Sequence, residues 1–360
     1  MQEVEIKTLT TVHVGSGRNL QQNTDFIKVN ADTLYVIDDK KVFDIIGIDN
    51  IQKWVLSIER QENLLEFLKY TVPGCNVRDC AMRELDLFGT VYPSDTLKEQ
   101  MHNGCGYAYI PGSSIKGAIR TAVLASEVHK VYNIEERIKS HKNKATASEV
   151  EKHLFGNDPK TDIFRYLQVG DATFKSGTEI AVKAIMGLNI TSSQYVKPKG
   201  EQKPQLIEGI RPNATAKFRM KLDTSKLANC SNQIDSMLSM EKLFETINRH
   251  TKSLIEQEIK YWKAIAEELI GAEDYLEQMK QIKNIVDKCN SNECVLRVGY
   301  GIGWNFITGG WTKELKNFEE FVIPQARPSN YKYQDYDFPK SRRTDSDNEL
   351  FGFVQLSLLP

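Results

Sequence analysis

Long apolar runs are missing from this 360-residue chain, which argues against a membrane-spanning helix. An excess of charge is missing too: 47 Lys and Arg face 48 Asp and Glu, so the overall balance gives no sign of a nucleic-acid partner. Cysteine is sparse, at six residues, and Met1 to Lys7 alternates and carries acids instead of forming a secretory leader. Reduced thiols in a cytoplasm are the expectation. No period of about 20–50 residues recurs, which excludes a solenoid. Aromatic residues are plentiful: fifteen Phe, fourteen Tyr and four Trp can build substantial cores.

The charge that is present is unevenly placed. Residues 195–221 hold seven basic residues and two acidic ones, whereas 254–277 hold seven acidic and two basic. A groove that tracks a phosphate backbone gathers cations in this way, and so does ordinary fluctuation along a solvated surface.

Val4 to Val14 alternates as a strand and stops at Gly15-Ser16-Gly17. Residues 26–29 and 33–37 predict a hairpin, and apolar spacing predicts short helices around 51–58 and 64–68. Residues 71–106, rich in Gly, Cys and Pro, read as an irregular insertion. Strands are expected near 166–174, 179–188, 210–222, 295–298 and 351–358. A flexible basic loop is expected at 192–206, a polar helical or mobile stretch at 137–153, and two helices from Met237 to Val286 broken at Gly271. This order indicates an α+β protein with a ferredoxin-like core and large, partly helical insertions. The expected organisation is one domain over 1–360, with insertions at about 41–105 and a helical region at about 223–290.

The most informative stretch is Ile110-Pro111-Gly112-Ser113-Ser114-Ile115-Lys116-Gly117-Ala118-Ile119-Arg120-Thr121-Ala122. Pro-Gly makes a turn, Ser113 or Ser114 can cap the following helix, and Ile115, Ile119 and Ala122 share one face. Lys116 and Arg120 then stand near an end that is already electropositive, an arrangement suited to a phosphate. Cations pointing into water are the plainer alternative. In Arg297-Val298-Gly299-Tyr300-Gly301-Ile302-Gly303-Trp304 the glycine spacing is wrong for a dinucleotide site. Gly299, Gly301 and Gly303 instead permit close backbone approach, with Arg297 as a cation and Trp304 as either a stacking surface or a core residue.

His13 beside its glycine turn is a candidate general base, although a hydrogen-bonding strand residue is the favoured reading. Cys75-x4-Cys80 and His102-x2-Cys105 carry the residue types of a Cys3His zinc site, with ordinary thiols favoured. Lys197, Lys199 and Lys203 form a basic cluster, and Lys340, Arg342 and Arg343 follow three tyrosines, as in single-strand binding surfaces.

His13 to Gly17, Ile110 to Ala122, Arg297 to Trp304 and Pro339 to Arg343, in this order, resemble the RAMP superfamily of CRISPR-associated RNA-binding proteins. Within it the likeness is to the fifth subunits of type III-A Csm effector complexes. The resemblance spans residues 4–358 and implies a modified RNA-recognition fold that caps the guide-RNA filament at the guide's 3′ end. It implies a non-catalytic role without cofactor or metal and contacts with a backbone RAMP subunit and a small helical subunit. It also implies support for guide maturation, with host nucleases as further partners. The RNA-binding set is then Ser113, Ser114, Lys116, Arg120, Lys197, Lys199, Lys203, Arg297, Gly299, Gly301, Gly303, Lys340, Arg342 and Arg343. Backbone relatives cut target RNA with an aspartate in a Gly-rich loop. Asp25 stands in a comparable place after Gln21-Gln22-Asn23-Thr24, so a structural or vestigial role is expected for it. The alternative activity is a metal-independent RAMP endoribonuclease using His13.

Overall fold

The computed structural model describes every residue except 94, 141–143, 193–194, 197–203, 231–233, 265–270, 308, 327–337 and 340. Helices and sheets are mixed. A five-stranded antiparallel sheet runs in the order Leu167–Val169, Thr215–Leu222, Gln2–Thr8, Phe353–Leu358, Glu293–Arg297. Gln2–Thr8 alternates in the way its sequence predicts, burying Val4, Ile6 and Thr8.

Helix Gly112–Glu127 buries Ile115, Ile119, Ala122 and Val123 beneath this sheet. Full burial of each of Ile115, Ile119 and Val123 contributes roughly 1.5–3 kcal/mol. Helix Met240–Lys263 packs beside it and is capped by the Ser239 hydroxyl, which accepts from the Lys242 N–H at 3.2 Å. Helix Ala272–Lys288 lies against Met240–Lys263, and Leu254, Trp262, Tyr275 and Met279 join Val295 and Phe353 in a second cluster.

A larger mixed sheet holds Gly15–Gln21, Thr96–Gln100, Gln205–Ile210, Ile180–Ser192, Ala81–Phe88, Thr33–Ile37 and Phe26–Lys28 in that order. Two of its pairings are parallel, Leu206 with Leu97 and Ala181 with Asp86. The far half of Ile180–Ser192 pairs instead with Ser341–Asp345. The expected hairpin is present, with Phe26 opposite Val36. The stretch expected to be irregular supplies two inner strands of this sheet, Ala81–Phe88 and Thr96–Gln100, and 210–222 divides at a turn into two strands belonging to different sheets.

Candidate nucleic-acid interface

Beyond Glu293–Arg297 the chain turns through Gly299, Gly301 and Gly303, whose φ angles are +87°, +83° and +79°. At Gly299 a second constraint applies: a Cβ would lie 2.3 Å from the His13 carbonyl oxygen. That same oxygen accepts from the Tyr300 N–H at 2.8 Å. The contact continues as a ladder. The Val14 N–H donates to the Gln100 side-chain oxygen at 2.9 Å, the Met101 N–H to the Val14 carbonyl at 2.8 Å, and the Gln100 side-chain NH2 to the Tyr109 carbonyl at 3.0 Å. Tyr109 and Ile110 lead directly into helix Gly112–Glu127. One hydrogen-bonded path thus joins the two motifs, which lie far apart in sequence.

Tyr300 stands on this path with its ring partly exposed. Its hydroxyl donates to the Gln205 side-chain oxygen at 2.6 Å, the Lys98 ammonium lies 5.7 Å from its ring centre, and His13 meets it edge-on at 5.9 Å. An aromatic ring carrying a cation is the local chemistry of a base-stacking platform. Sequence reading missed Lys98 because strand Thr96–Gln100 buries Glu99 and Gln100, which hides its alternation. Tyr300 was within view, inside the glycine run.

The helix start differs from expectation. Pro111 occupies the N-cap, so neither Ser113 nor Ser114 caps. The Asp171 carboxylate accepts from the Gly112 N–H at 2.7 Å and already places an anion at the electropositive end. Ser113 is exposed, Ser114 half-buried, and burial lowers the Lys116 pKa while Asp162 opposes that shift. Arg120 is not a phosphate ligand in this arrangement. Its Nε donates to Glu151 at 2.9 Å and its Nη1 to Asp162 at 2.9 Å, and it lies over the rings of Phe155 and Phe164 at 4.3 and 5.0 Å.

Two further cations are internal. Arg297 is 6% exposed, lies between Phe306 and Phe353 at 4.5 and 4.6 Å, and donates from Nε to the Phe351 carbonyl at 2.8 Å. Arg342, 5% exposed, grips Glu258 through Nε at 2.6 Å and Nη2 at 3.0 Å. Glu258 also accepts from Trp262 Nε1, the Tyr275 hydroxyl and the Asn305 amide. Burial raises the Glu258 pKa, but Arg342 outweighs it and holds the carboxyl well below its ordinary range. Both arginines are therefore corrected from RNA ligands to core residues. Arg343 is exposed on Ser341–Asp345. Lys197, Lys199, Lys203 and Lys340 lie outside the described residues. Trp304 is partly buried against Phe318 and Phe338.

His13 is 1% exposed and donates from Nδ1 to the Glu208 carbonyl at 2.6 Å, the geometry of the hydrogen-bonding strand residue that the sequence favours. Burial lowers its pKa to about 4, as it does for His102, whose Nδ1 donates to the Gln100 carbonyl at 2.8 Å. Unfolding frees both imidazoles to protonate near 6.5. Their contribution to stability is thus complete above about pH 6.5 and declines as pH falls toward about 4. Between about pH 8 and about pH 5.5, NMR should show both rings neutral in the folded chain; protonation near the ordinary value would contradict this packing. Nearby, Arg83 bridges Glu99 and the fully buried Glu208 at 3.2 and 2.9 Å.

Asp25 closes a tight turn by accepting from the Gln21 N–H at 2.8 Å. Cys80 packs beneath Ile27 and Tyr35 with Cys75 beside it, Cys105 is exposed, and His102 is engaged as above. Among the described residues no three His, Cys, Asp or Glu side chains are grouped to hold a metal. Likewise, no described helix is long and apolar enough to cross a membrane.

The Csm5 protein of the CRISPR system of Methanocaldococcus jannaschii is 24% identical over 321 residues, covering 84% of this chain and 71% of that protein. A chain of a cryo-EM Csm–crRNA–target RNA ternary complex from a type III-A CRISPR-Cas system superposes with a TM-score of 0.72 at 20% identity, covering 99% of this chain and 100% of the other. The crystal structure of T. onnurineus Csm5 gives 0.66 at 19% identity, with the same coverages. The sequence model of the RAMP superfamily matches residues 5–326, and the chain belongs to that superfamily.

Proposed function

We propose that this chain is a non-catalytic guide-RNA-binding subunit of a type III-A Csm effector, capping the guide filament at its 3′ end and supporting guide maturation. The carrying observation is the Tyr300–Lys98 platform held beside the glycine loop and tied by backbone hydrogen bonds toward the helix that bears Lys116. Glycines at positive φ carry no side chain that would keep a sugar–phosphate chain from the loop's backbone. The similarity to Csm5 and to a chain of a crRNA-bound Csm complex supports the RNA and the assembly. A backbone RAMP subunit, a small helical subunit and host nucleases are the partners of this reading, and the cytoplasm is its location. One domain with inserted segments is its organisation. A ferredoxin-like core is supported by the antiparallel run Leu167–Val169, Thr215–Leu222, Gln2–Thr8, Phe353–Leu358 with helices in both crossovers. The burial of His13 supports a non-catalytic reading over cleavage through that residue.

Replacing Lys98 and Lys116 with Ala should weaken binding of a single-stranded guide fragment and reduce the slope of log affinity against log salt by roughly 0.7 per cation. Tyr300→Ala should weaken binding by roughly tenfold with the slope unchanged. Filter-binding titrations at several salt concentrations read both. Unaltered affinity and slope in all three variants would remove the proposal.

A further inference from the structure

Two cavities adjoin where the chain continues past the glycine loop. The first, of about 270 Å³, is walled by Trp304, Gly309, Trp311, Thr312 and Val322. The second, of about 290 Å³, is lined by His129, Arg249, His250, Trp311, Lys313 and Glu314. Trp311 borders both, which places an aromatic-walled cavity beside one lined by cations, as a single candidate groove.

The glycine pair shapes this groove. A Cβ at Gly309 would lie 2.8 Å from the Trp304 ring, and one at Gly310 would lie 2.0 Å from the Asn305 carbonyl oxygen. Hydrogen at both positions lets this segment pass close to the Trp304 ring and the Asn305 backbone. Trp311 is 6% exposed, and its indole N–H is buried with no acceptor. Buried donors normally find a partner, so an unused one marks a place where something is missing.

At the other end, Lys313 is half-buried, and burial lowers its pKa. The carboxylate acting on it, Glu258, is already gripped by Arg342, whose charge repels the ammonium. Arg249 lines the same cavity and donates to the Thr246 hydroxyl at 3.2 Å. Among the described residues neither Lys313 nor Arg249 enters an ion pair. An ammonium and a guanidinium outnumber the one carboxylate of this lining, the exposed Glu314, and favour an incoming anion. Alternation of a flat aromatic wall with unpaired cations is the chemistry of single-stranded nucleic acid.

We propose that this groove holds one nucleotide of a single-stranded RNA, the base in the Trp304–Trp311 cavity and the adjoining phosphate over Lys313 and Arg249. The assignment rests on the RNA-binding reading above and adds a second contact beyond the Tyr300 platform. An acidic peptide is the competing occupant that the test must separate.

The test uses the full chain with a short mixed-sequence single-stranded RNA and, in parallel, an oligoglutamate peptide. Lys313→Gln combined with Arg249→Gln should weaken RNA binding roughly tenfold and lower the salt slope by roughly 0.7 per cation. Trp304→Ala should weaken it roughly tenfold without altering the slope. Because Trp304 also packs against Phe318 and Phe338, photo-crosslinking of 4-thiouridine RNA to the unmodified chain supplies an independent readout, with adducts expected within 304–313. If the groove variants bind like the parent and adducts form elsewhere while Lys98→Ala still weakens binding, the groove assignment falls and the RNA-binding reading survives. If neither set of variants matters, both fall. Oligoglutamate binding as tight as RNA, and lost with Lys313→Gln, would overturn the nucleotide in favour of an acidic peptide.

Discussion

Replacing Arg342 with Ala should destabilise the chain by about 3–5 kcal/mol, the loss associated with stranding one member of a buried ion pair. Glu258 would keep its hydrogen bonds from Trp262, Tyr275 and Asn305 but lose the charge that neutralises it, at a point where it is 2% exposed. With these partners the pair joins four separate regions: helices Met240–Lys263 and Ala272–Lys288, the segment after the glycine loop and the strand Ser341–Asp345. Urea denaturation should show the loss as a lower midpoint with a similar slope. Arg342→Lys should recover only part of it, because an ammonium cannot repeat the two-pronged grip on Glu258. The RNA salt slope of the folded fraction should not change, since Arg342 faces the core. A parental midpoint for Arg342→Ala would show that this network carries little stability.

The second large effect is expected at Gly299. An Ala there must adopt φ near +87° and place its Cβ 2.3 Å from the His13 carbonyl oxygen. Strained backbone of this kind costs about 1–3 kcal/mol before the collision is counted. Relief requires the loop to withdraw from His13, which breaks the Tyr300 N–H bond and shifts the Tyr300 ring. Thermal stability and RNA affinity should therefore fall together. Gly303→Ala is the matched comparison: φ is +79°, but nothing lies within 4 Å of its added Cβ. It should cost less stability than Gly299→Ala; equal losses in the two variants would discount the contact with His13.

What could be read in advance followed from periodicity. Helix Gly112–Glu127 and the pair Met240–Lys263 and Ala272–Lys288 bury long-range apolar stripes, which a linear pattern displays. Strands Ala81–Phe88 and Thr96–Gln100 were not legible. The first alternates in burial, but Arg83 falls on its inner face and Met82 and Phe88 on its outer one; the second buries Glu99 and Gln100, so neither shows apolar alternation in its sequence. The site divides along the same line. Glycines and the Pro111-Gly112 turn announce backbone behaviour locally, whereas the fate of a cation depends on a distant carboxylate. Arg120 meets Asp162 42 positions away, and Arg342 meets Glu258 84 positions away. One clue was available: Glu258 interrupts the apolar stripe of Leu254, Ile255 and Trp262, and a lone acid on a buried face needs a cation from elsewhere.

The position of Phe353–Leu358 in the first sheet bears on biosynthesis. This strand lies between Gln2–Thr8 and Glu293–Arg297, with Val4 opposite Leu358. A ribosome therefore releases the first strand's bonding edge long before its neighbour exists, and that edge stays open to wrong partners for most of translation. Shielding of the nascent chain, by a chaperone or by subunits already assembled, is the circumstance under which such a topology reaches high yield.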